Sequence, residues 1–294
     1  MDTNLDTLIV ALYVQVDDLF TLLGVRKGPG RPQRLTDSEL VCLAVAQVML
    51  GYNSERRWLR FAYCRLGHLF PYLPQQAAYN KRLRAACRLV AHAIRHLAGL
   101  TPSWCDQVRL LDSTPVPCGA SRETVKRSEL AGWAKYGYCA AHSRFFWGLR
   151  LYLLTAPDGL VVAWCLADPK MGEREVAKAL LESAPIQLRQ LIVSDKGFAS
   201  REFEAFVRGL GATLVRPDRR DEARLWGSLG WIRQRIESVN DTLKGQLGLE
   251  EHGGRTHNGV TVRVAQRLLA LTAGVWHNWL IDAPYKRSLV AYDH

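Results

Sequence analysis

No stretch of the 294-residue chain reaches the run of about 18 apolar residues that a membrane span requires. The longest candidate, Leu268 to Ile281, is interrupted by Thr272, Gly274, His277 and Asn278. Asp2 and Asp6 stand where a secretory leader would place basic residues, so none is expected. The seven cysteines, at 42, 64, 87, 105, 118, 139 and 165, contain no C-x-x-C pair, which argues against a zinc ribbon or a disulfide framework. They read as reduced thiols of a cytoplasmic protein. Internal repeats and low-complexity tracts are missing as well. Acids are in short supply, with 28 Asp+Glu against 39 Lys+Arg and a net charge of +11. Present instead are 48% hydrophobic and 23% charged residues, enough to bury a sizeable core. At roughly 100–200 residues per domain, the length allows one large domain or two modest ones.

The basic excess is spread over the chain. The first hundred residues hold 13 Lys/Arg against 7 Asp/Glu, and the remainder holds 26 against 21. Clusters lie at Arg26-Lys27, Arg31 and Arg34; at Arg56-Arg57, Arg60 and Arg65; and at Lys81-Arg82, Arg84 and Arg88. A solvated helix face explains any one of them equally well. Together, interleaved with Trp58, Tyr63 and Tyr79, they suit a polyanion, because each neutralised phosphate releases counterions.

Two rhythms divide the sequence. Leu5, Leu8, Ile9, Leu12, Val16 and Leu19 recur at helical spacing. A turn at Gly28-Pro29-Gly30-Arg31-Pro32 follows, and Thr36-Asp37-Ser38-Glu39 forms a capping box ahead of Leu40 to Leu50. Further helices are expected near 54–68 and 76–99. Gly30-Arg31-Pro32 resembles an AT-hook core, but a plain turn before a capped helix accounts for it. His92 and His96 share a helix face without a third ligand and read as ordinary histidines. After Trp104, short β-type runs appear at about 107–113, 145–155 and 159–167, the last two joined at Pro157-Asp158-Gly159. A helix at 173–184, a strand at 190–194, a helix at 200–210, a strand at 212–216 and helices at 228–247 and 258–281 complete the pattern. The fold class expected is α/β, a mixed sheet covered by helices after an all-helical N-terminal region.

Acids sit where these strands end. Asp112 closes the first strand ahead of Pro115 and Pro117, and Asp195 closes the fourth ahead of Lys196-Gly197. A strand-end Asp is often only a turn or cap residue, but two on one sheet edge point to a shared site. In the late helix, Ile232, Ile236, Val239, Leu243 and Leu247 form an apolar stripe. Arg233, Glu237, Asn240 and Lys244 border it as a polar strip that should face the rim of the sheet; a surface Arg233–Glu237 pair is the alternative. If the three carboxylates converge, an all-oxygen donor set favours Mg²⁺, with Mn²⁺ able to substitute. Two such ions could activate a water or a 3′-hydroxyl and stabilise the oxygen leaving a phosphodiester. Glu173, Glu175 and Asp168 are rival acids; the first two open a helix, where acids also answer the macrodipole, and Asp168 reads as a turn before Pro169.

Over nearly its whole length the chain resembles a DDE transposase of a bacterial insertion sequence, most similar to the group numbered nine-eight-two. The resemblance rests on Gly30-Arg31-Pro32 leading into Leu35-Thr36-Asp37-Ser38-Glu39, and on Leu111-Asp112-Ser113-Thr114-Pro115. It continues through Tyr136-Gly137-Tyr138-Cys139, Phe146-Trp147-Gly148-Leu149-Arg150-Leu151 and Ser194-Asp195-Lys196-Gly197-Phe198. Arg233, Glu237 and Lys244 match the family's Arg-x3-Glu-x6-Lys signature, with Gly230 where relatives often carry Tyr. Spacings of 83 and 42 residues between the acids leave no room for a large insertion before the Glu.

The resemblance implies an RNase H-like core with Asp112, Asp195 and Glu237 as catalytic metal ligands for two Mg²⁺ ions. It implies cleavage at transposon ends and attack of the exposed 3′-hydroxyls on target DNA. The domains expected are a helical DNA-binding and dimerisation domain at 1–103, a catalytic domain at 104–282 and a tail at 283–294. Double-stranded DNA is the expected partner, both terminal inverted repeats and target, with a homodimer forming on it. Its expected contacts are Arg233, Lys244 and Lys196 near the acids, Arg31, Arg34, Arg56 and Arg57 in the first domain, and Lys126, Arg127 and Lys135 in a loop overhanging the catalytic edge. A metal-dependent nuclease or resolvase on the same fold, or a DNA-binding protein without catalysis, would share most of these features.

Overall fold

The computed structural model describes residues 4–25, 33–139, 143–198, 200–218 and 229–292, without the side chains of 231–233. Contacts divide the chain into two compact units. One comprises Met1–Leu97, Leu243–Gly254 and Asn258–His294, the other Ala98–Thr242 with Arg255–His257. This partition differs from the expected one, which kept 104–282 together. No described helix is long and apolar enough to cross a membrane.

The helical unit contains α1 (Leu5–Leu22), α2 (Asp37–Met49), α3 (Glu55–Arg65), α4 (Gln76–Ala85) and nearly all of α5 (Cys87–Gly99). The single helix expected over 76–99 is two, separated at Ala86. The capping box of α2 forms as expected: Thr36 Oγ1 accepts from the Glu39 amide at 3.0 Å and Glu39 Oε2 from the Thr36 amide at 2.6 Å. The late helix α10 (His257–Leu280) belongs mostly to this unit. Its buried Gln266 donates to the Ala44 carbonyl at 2.7 Å and to Gln47 Oε1 at 3.2 Å, and Tyr79 donates to the same Gln47 oxygen at 2.8 Å. Gln266 is thus tied to α2, and Gln47 to both α10 and α4, which fixes α10 by polar as well as apolar burial.

The second unit is built on a six-stranded mixed sheet. Its strands are β1 (Val108–Gly119), β2 (Lys135–Cys139), β3 (Arg144–Thr155), β4 (Val161–Ala167), β5 (Leu191–Ser194) and β6 (Thr213–Val215). The order is β2-β3-β1-β5-β6, with β4 continuing along the outer side of β3 beyond β2. β1 runs antiparallel to β3 and parallel to β5, and β5 parallel to β6. Helices α6 (Arg122–Arg127), α7 (Glu173–Ser183), α8 (Arg201–Gly209) and α9 (Gly230–Asp241) complete it. The fold is the mixed α/β arrangement with a helical N-terminal region read from the sequence, and the turn at Pro157-Asp158-Gly159 joins β3 to β4 as expected, Gly159 taking a φ of +91°.

Two local expectations fail. β1 does not end at Asp112 but continues through Pro115 and Pro117 to Gly119. Proline removes a ladder donor, yet past Leu111 β5 no longer pairs with β1, so only the β3 side must be bonded. Nor is the segment after Asp112 a long loop, since it contains the rest of β1, α6 and β2. Gly148 of β3 shows how tightly these strands meet: a Cβ there would lie 2.1 Å from the Val116 carbonyl oxygen. Gly148→Ala is therefore expected to force the strands apart and destabilise the fold by at least about 1–3 kcal/mol, read as a lower midpoint in urea unfolding.

Candidate active site

Residues two apart on a strand share a face, and the two faces of this sheet are told apart by what packs on them. Leu111 lies in the cluster with Ile192, Leu214 and Tyr152 that α7 and α8 cover, including Val176, Leu180, Phe203 and Val207. Leu110 lies on the opposite face with Val193, Val215, Leu229 and Ile236 of α9. Asp112, half-buried, follows Leu110 and so belongs to the α9 face.

Asp195 lies just past the end of β5. In the parallel β1–β5 ladder Leu110 pairs with Val193 and Leu111 with Ser194, where the ladder ends, so Asp112 and Asp195 are the residues that follow its last pair. Neighbouring strands are about 4.8 Å apart, so both residues leave the ladder at the same end of the sheet. Asp195 is exposed, the first residue beyond β5, with exposed Lys196 behind it.

The third acid rides on α9. Ile236 packs onto the Leu110 cluster and Val239 is buried, which turns the polar border of the helix toward the sheet. Asn240 donates its Nδ2 to Asp112 Oδ2 at 2.6 Å. Glu237, exposed, precedes Asn240 by three residues and so stands one turn along the same helix face. The polar strip therefore does meet the rim of the sheet, through Asn240. The sequence placed Asn240 in that strip without a role; the amide's partner lies 128 residues away, beyond any local pattern.

Among the described residues no three His, Cys, Asp or Glu side chains stand close enough together to hold a metal ion. Asp112 and Asp195 follow the last paired residues of β1 and β5, and α9 carries Glu237 one turn from Asn240, which touches Asp112. Their all-oxygen chemistry fits a hard divalent cation.

Of the rival acids, Glu173 and Asp168 have partners of their own. Glu173 opens α7 on the other face of the sheet and forms an ion pair with Arg150 of β3, whose guanidinium also donates to the Tyr138 carbonyl at 2.9 Å. Burial first, and the Glu173 charge second, push the nearby Tyr152 phenol up to about 12. Asp168 accepts from the Lys170 amide at 2.8 Å, the turn expected of it. Glu175 is exposed at the start of α7, and His96 contacts Gln15 at 3.4 Å.

The expected DNA contacts fall in several places. Arg34 stacks over the Tyr72 ring at 4.2 Å, and Arg56 and Arg57 are exposed on α3. Lys126 and Arg127, both exposed on α6, share Glu123 at 3.9 and 3.5 Å, surface pairs of little strength. Lys135 is half-buried on β2. Tyr138 of β2 meets Phe145 of β3 across the strands at 5.0 Å, and both rings are largely exposed. Lys244 is half-buried in the wide π-type turn Thr242–Gln246 that continues α9 and belongs to the helical unit. Arg31 and the side chain of Arg233 lie outside the described residues.

Comparison with known proteins adds a family. Residues 103–273 match the family described as Transposase DDE domain. No curated protein sequence matches the chain. Among solved structures, it is similar to a chain of the cryo-EM structure of a piggyBac transposase synaptic complex with hairpin DNA, at 10% identity and a TM-score of 0.46, over 96% of this chain and 75% of that one.

Proposed function

Because the chain belongs to the family of DDE transposases, DNA-cleaving and DNA-joining enzymes, we propose that it cuts the ends of a bacterial insertion sequence and joins their 3′-hydroxyls to target DNA, using Asp112, Asp195 and Glu237 on an RNase H-like core. The reading is supported by the Asn240 bond that ties the Glu237 helix to Asp112, and by Asp112 and Asp195 following the last residue pair of the β1–β5 ladder. Mg²⁺, or Mn²⁺ in its place, would be held by the three carboxylates as two ions, which when bound lower the pKa of an attacking water or 3′-hydroxyl and stabilise the departing oxygen.

The chain's own residues do the rest. Asn240 holds one Asp112 oxygen by hydrogen bond, leaving the carboxylate oriented for its partner acid. An anionic cluster of this kind is self-repelling until neutralised, so Lys196 beside Asp195 offsets part of its charge. Arg233 and Lys244, before and after Glu237 in sequence, would contact the DNA backbone as charge-assisted donors. Lys126, Arg127 and Lys135, with Tyr136 and Tyr138 on the same β2 segment, would contact DNA flanking the cut. Arg31, Arg34, Arg56 and Arg57 would bind the terminal inverted repeats. Two ends must be held at once, which calls for a homodimer on DNA.

Strand transfer separates this reading from that of a nuclease on the same fold. Given precut ends with free 3′-hydroxyls, supercoiled target and Mg²⁺, the protein is expected to yield covalently joined products. Nicking without joining under the same conditions would assign it to the nucleases.

A further inference from the structure

On α3 every exposed charge is positive. The helix contains five charged residues, Glu55, Arg56, Arg57, Arg60 and Arg65. Glu55, only 6% exposed, is turned inward, where it pairs with Arg263 and accepts from Asn80. The four arginines are exposed, and among the described residues none has a carboxylate partner. Some other basic residues are committed: Arg82 to Asp37 and the Leu35 carbonyl, Lys178 to Glu202. Arg56 and Arg60 stand at i,i+4 and Arg57 and Arg60 at i,i+3, spacings at which like charges destabilise a helix. A face merely solvated would gain from an acid at one of those positions, and α3 has none.

The helix is held firmly from behind. Ser54 caps it, accepting from the Arg57 amide at 3.5 Å. Trp58 and Ala62 are fully buried one turn apart, and Tyr52 lies 5.6 Å from the Trp58 ring and 5.0 Å from that of Phe61. On the outer side Arg56, Arg60 and Tyr63, the last 77% exposed, form a stripe at i, i+4 and i+7. At 1.5 Å per residue the stripe is about 10 Å long, and a DNA major groove about 12 Å wide admits one such helix.

We propose that α3 is the element that enters the major groove of duplex DNA, with Arg56, Arg57, Arg60 and Arg65 on the phosphates that border the groove. Arginine presents a planar fork that matches phosphate oxygens, and Tyr63 adds apolar contact at the end of the stripe. The inference rests on the reading of the chain as a DNA-acting transposase and adds which helix meets the duplex.

The test is the salt dependence of binding by the full-length protein to a short mixed-sequence duplex, measured by fluorescence anisotropy between roughly 50 and 200 mM salt. In the triple variant Arg56→Gln/Arg57→Gln/Arg60→Gln the slope of log affinity against log salt is expected to fall by about 2–3, at about 0.9 per lost contact. The single variant Arg60→Gln, an exposed change that leaves the core untouched, should lose about 0.9. Lys81→Gln/Arg84→Gln/Arg88→Gln removes the same charge outside α3 and should change the slope by less than about 1. Equal losses in the two triples would reduce the effect to diffuse net charge and overturn the proposal, as would an unchanged slope in Arg60→Gln. A wild-type protein that does not bind the duplex would instead sink the transposase reading itself.

Discussion

Glu237→Gln, Asp112→Asn and Asp195→Asn are each expected to lower Mg²⁺-dependent DNA nicking by about a thousandfold or more, since a bound cation supplies several kcal/mol of transition-state stabilisation. Each swap removes a charge while nearly preserving shape. DNA affinity should hold or rise, because one repelling carboxylate fewer then faces the phosphates. That split between lost chemistry and retained binding distinguishes removal of a ligand from loss of the fold. The Glu237 variant is the most informative of the three, because its place in the site rests on the docking of α9 rather than on sheet register. A Glu237→Gln protein that nicks at the wild-type rate would assign the third ligand to another acid. Glu173→Gln serves as the comparison: it breaks the ion pair with Arg150 on the opposite face and should leave nicking within about tenfold of wild type, with any loss traceable to stability.

The second large effect is expected at Asn240. Removing a group that orients a metal ligand typically costs about 10–100-fold in metal affinity or activity, so Asn240→Ala should lower nicking by that factor and raise the Mg²⁺ concentration needed for half-maximal rate. Asn240→Asp should be more harmful still. It replaces a donor 2.6 Å from Asp112 Oδ2 with a carboxylate that repels it. A rise in the Mg²⁺ requirement that excess Mg²⁺ repairs identifies a positioning role for Asn240; a loss that no Mg²⁺ concentration repairs, with a lowered melting temperature, would identify a structural one.

How much of this was legible in the sequence depends on the range of the interactions concerned. The strands and the order of the acids could be read because apolar runs such as Leu191-Ile192-Val193 and the Asp that follows are local. The amphipathic border carrying Glu237 could be read from helical spacing. The end of β1 could not, because Pro115 and Pro117 are strand breakers only where both sides of a strand must be bonded, and the loss of β5 as a neighbour beyond Leu111 is a property of the sheet. β2 hid within a segment rich in polar and small residues, where Tyr136, Gly137 and Tyr138 alternate over too few positions to announce a strand. The packing of α10 with the helical unit depends on Gln266 meeting Ala44 and Gln47, more than two hundred residues earlier in the chain. The bond from Asn240 to Asp112 is of the same kind: each residue's type was visible, the pairing was not.

In the proposed site two sheet acids and one helix acid serve a single pair of cations. Anomalous diffraction from crystals of the protein grown with Mn²⁺ and a cleaved-end DNA tests it most directly. Mn²⁺ peaks are expected between Asp112 and Asp195 with a Glu237 oxygen completing the set, and should be lost in Glu237→Gln. Mn²⁺ bound instead at Glu173 or Asp168, or at the two aspartates with Glu237 turned to solvent, would contradict it.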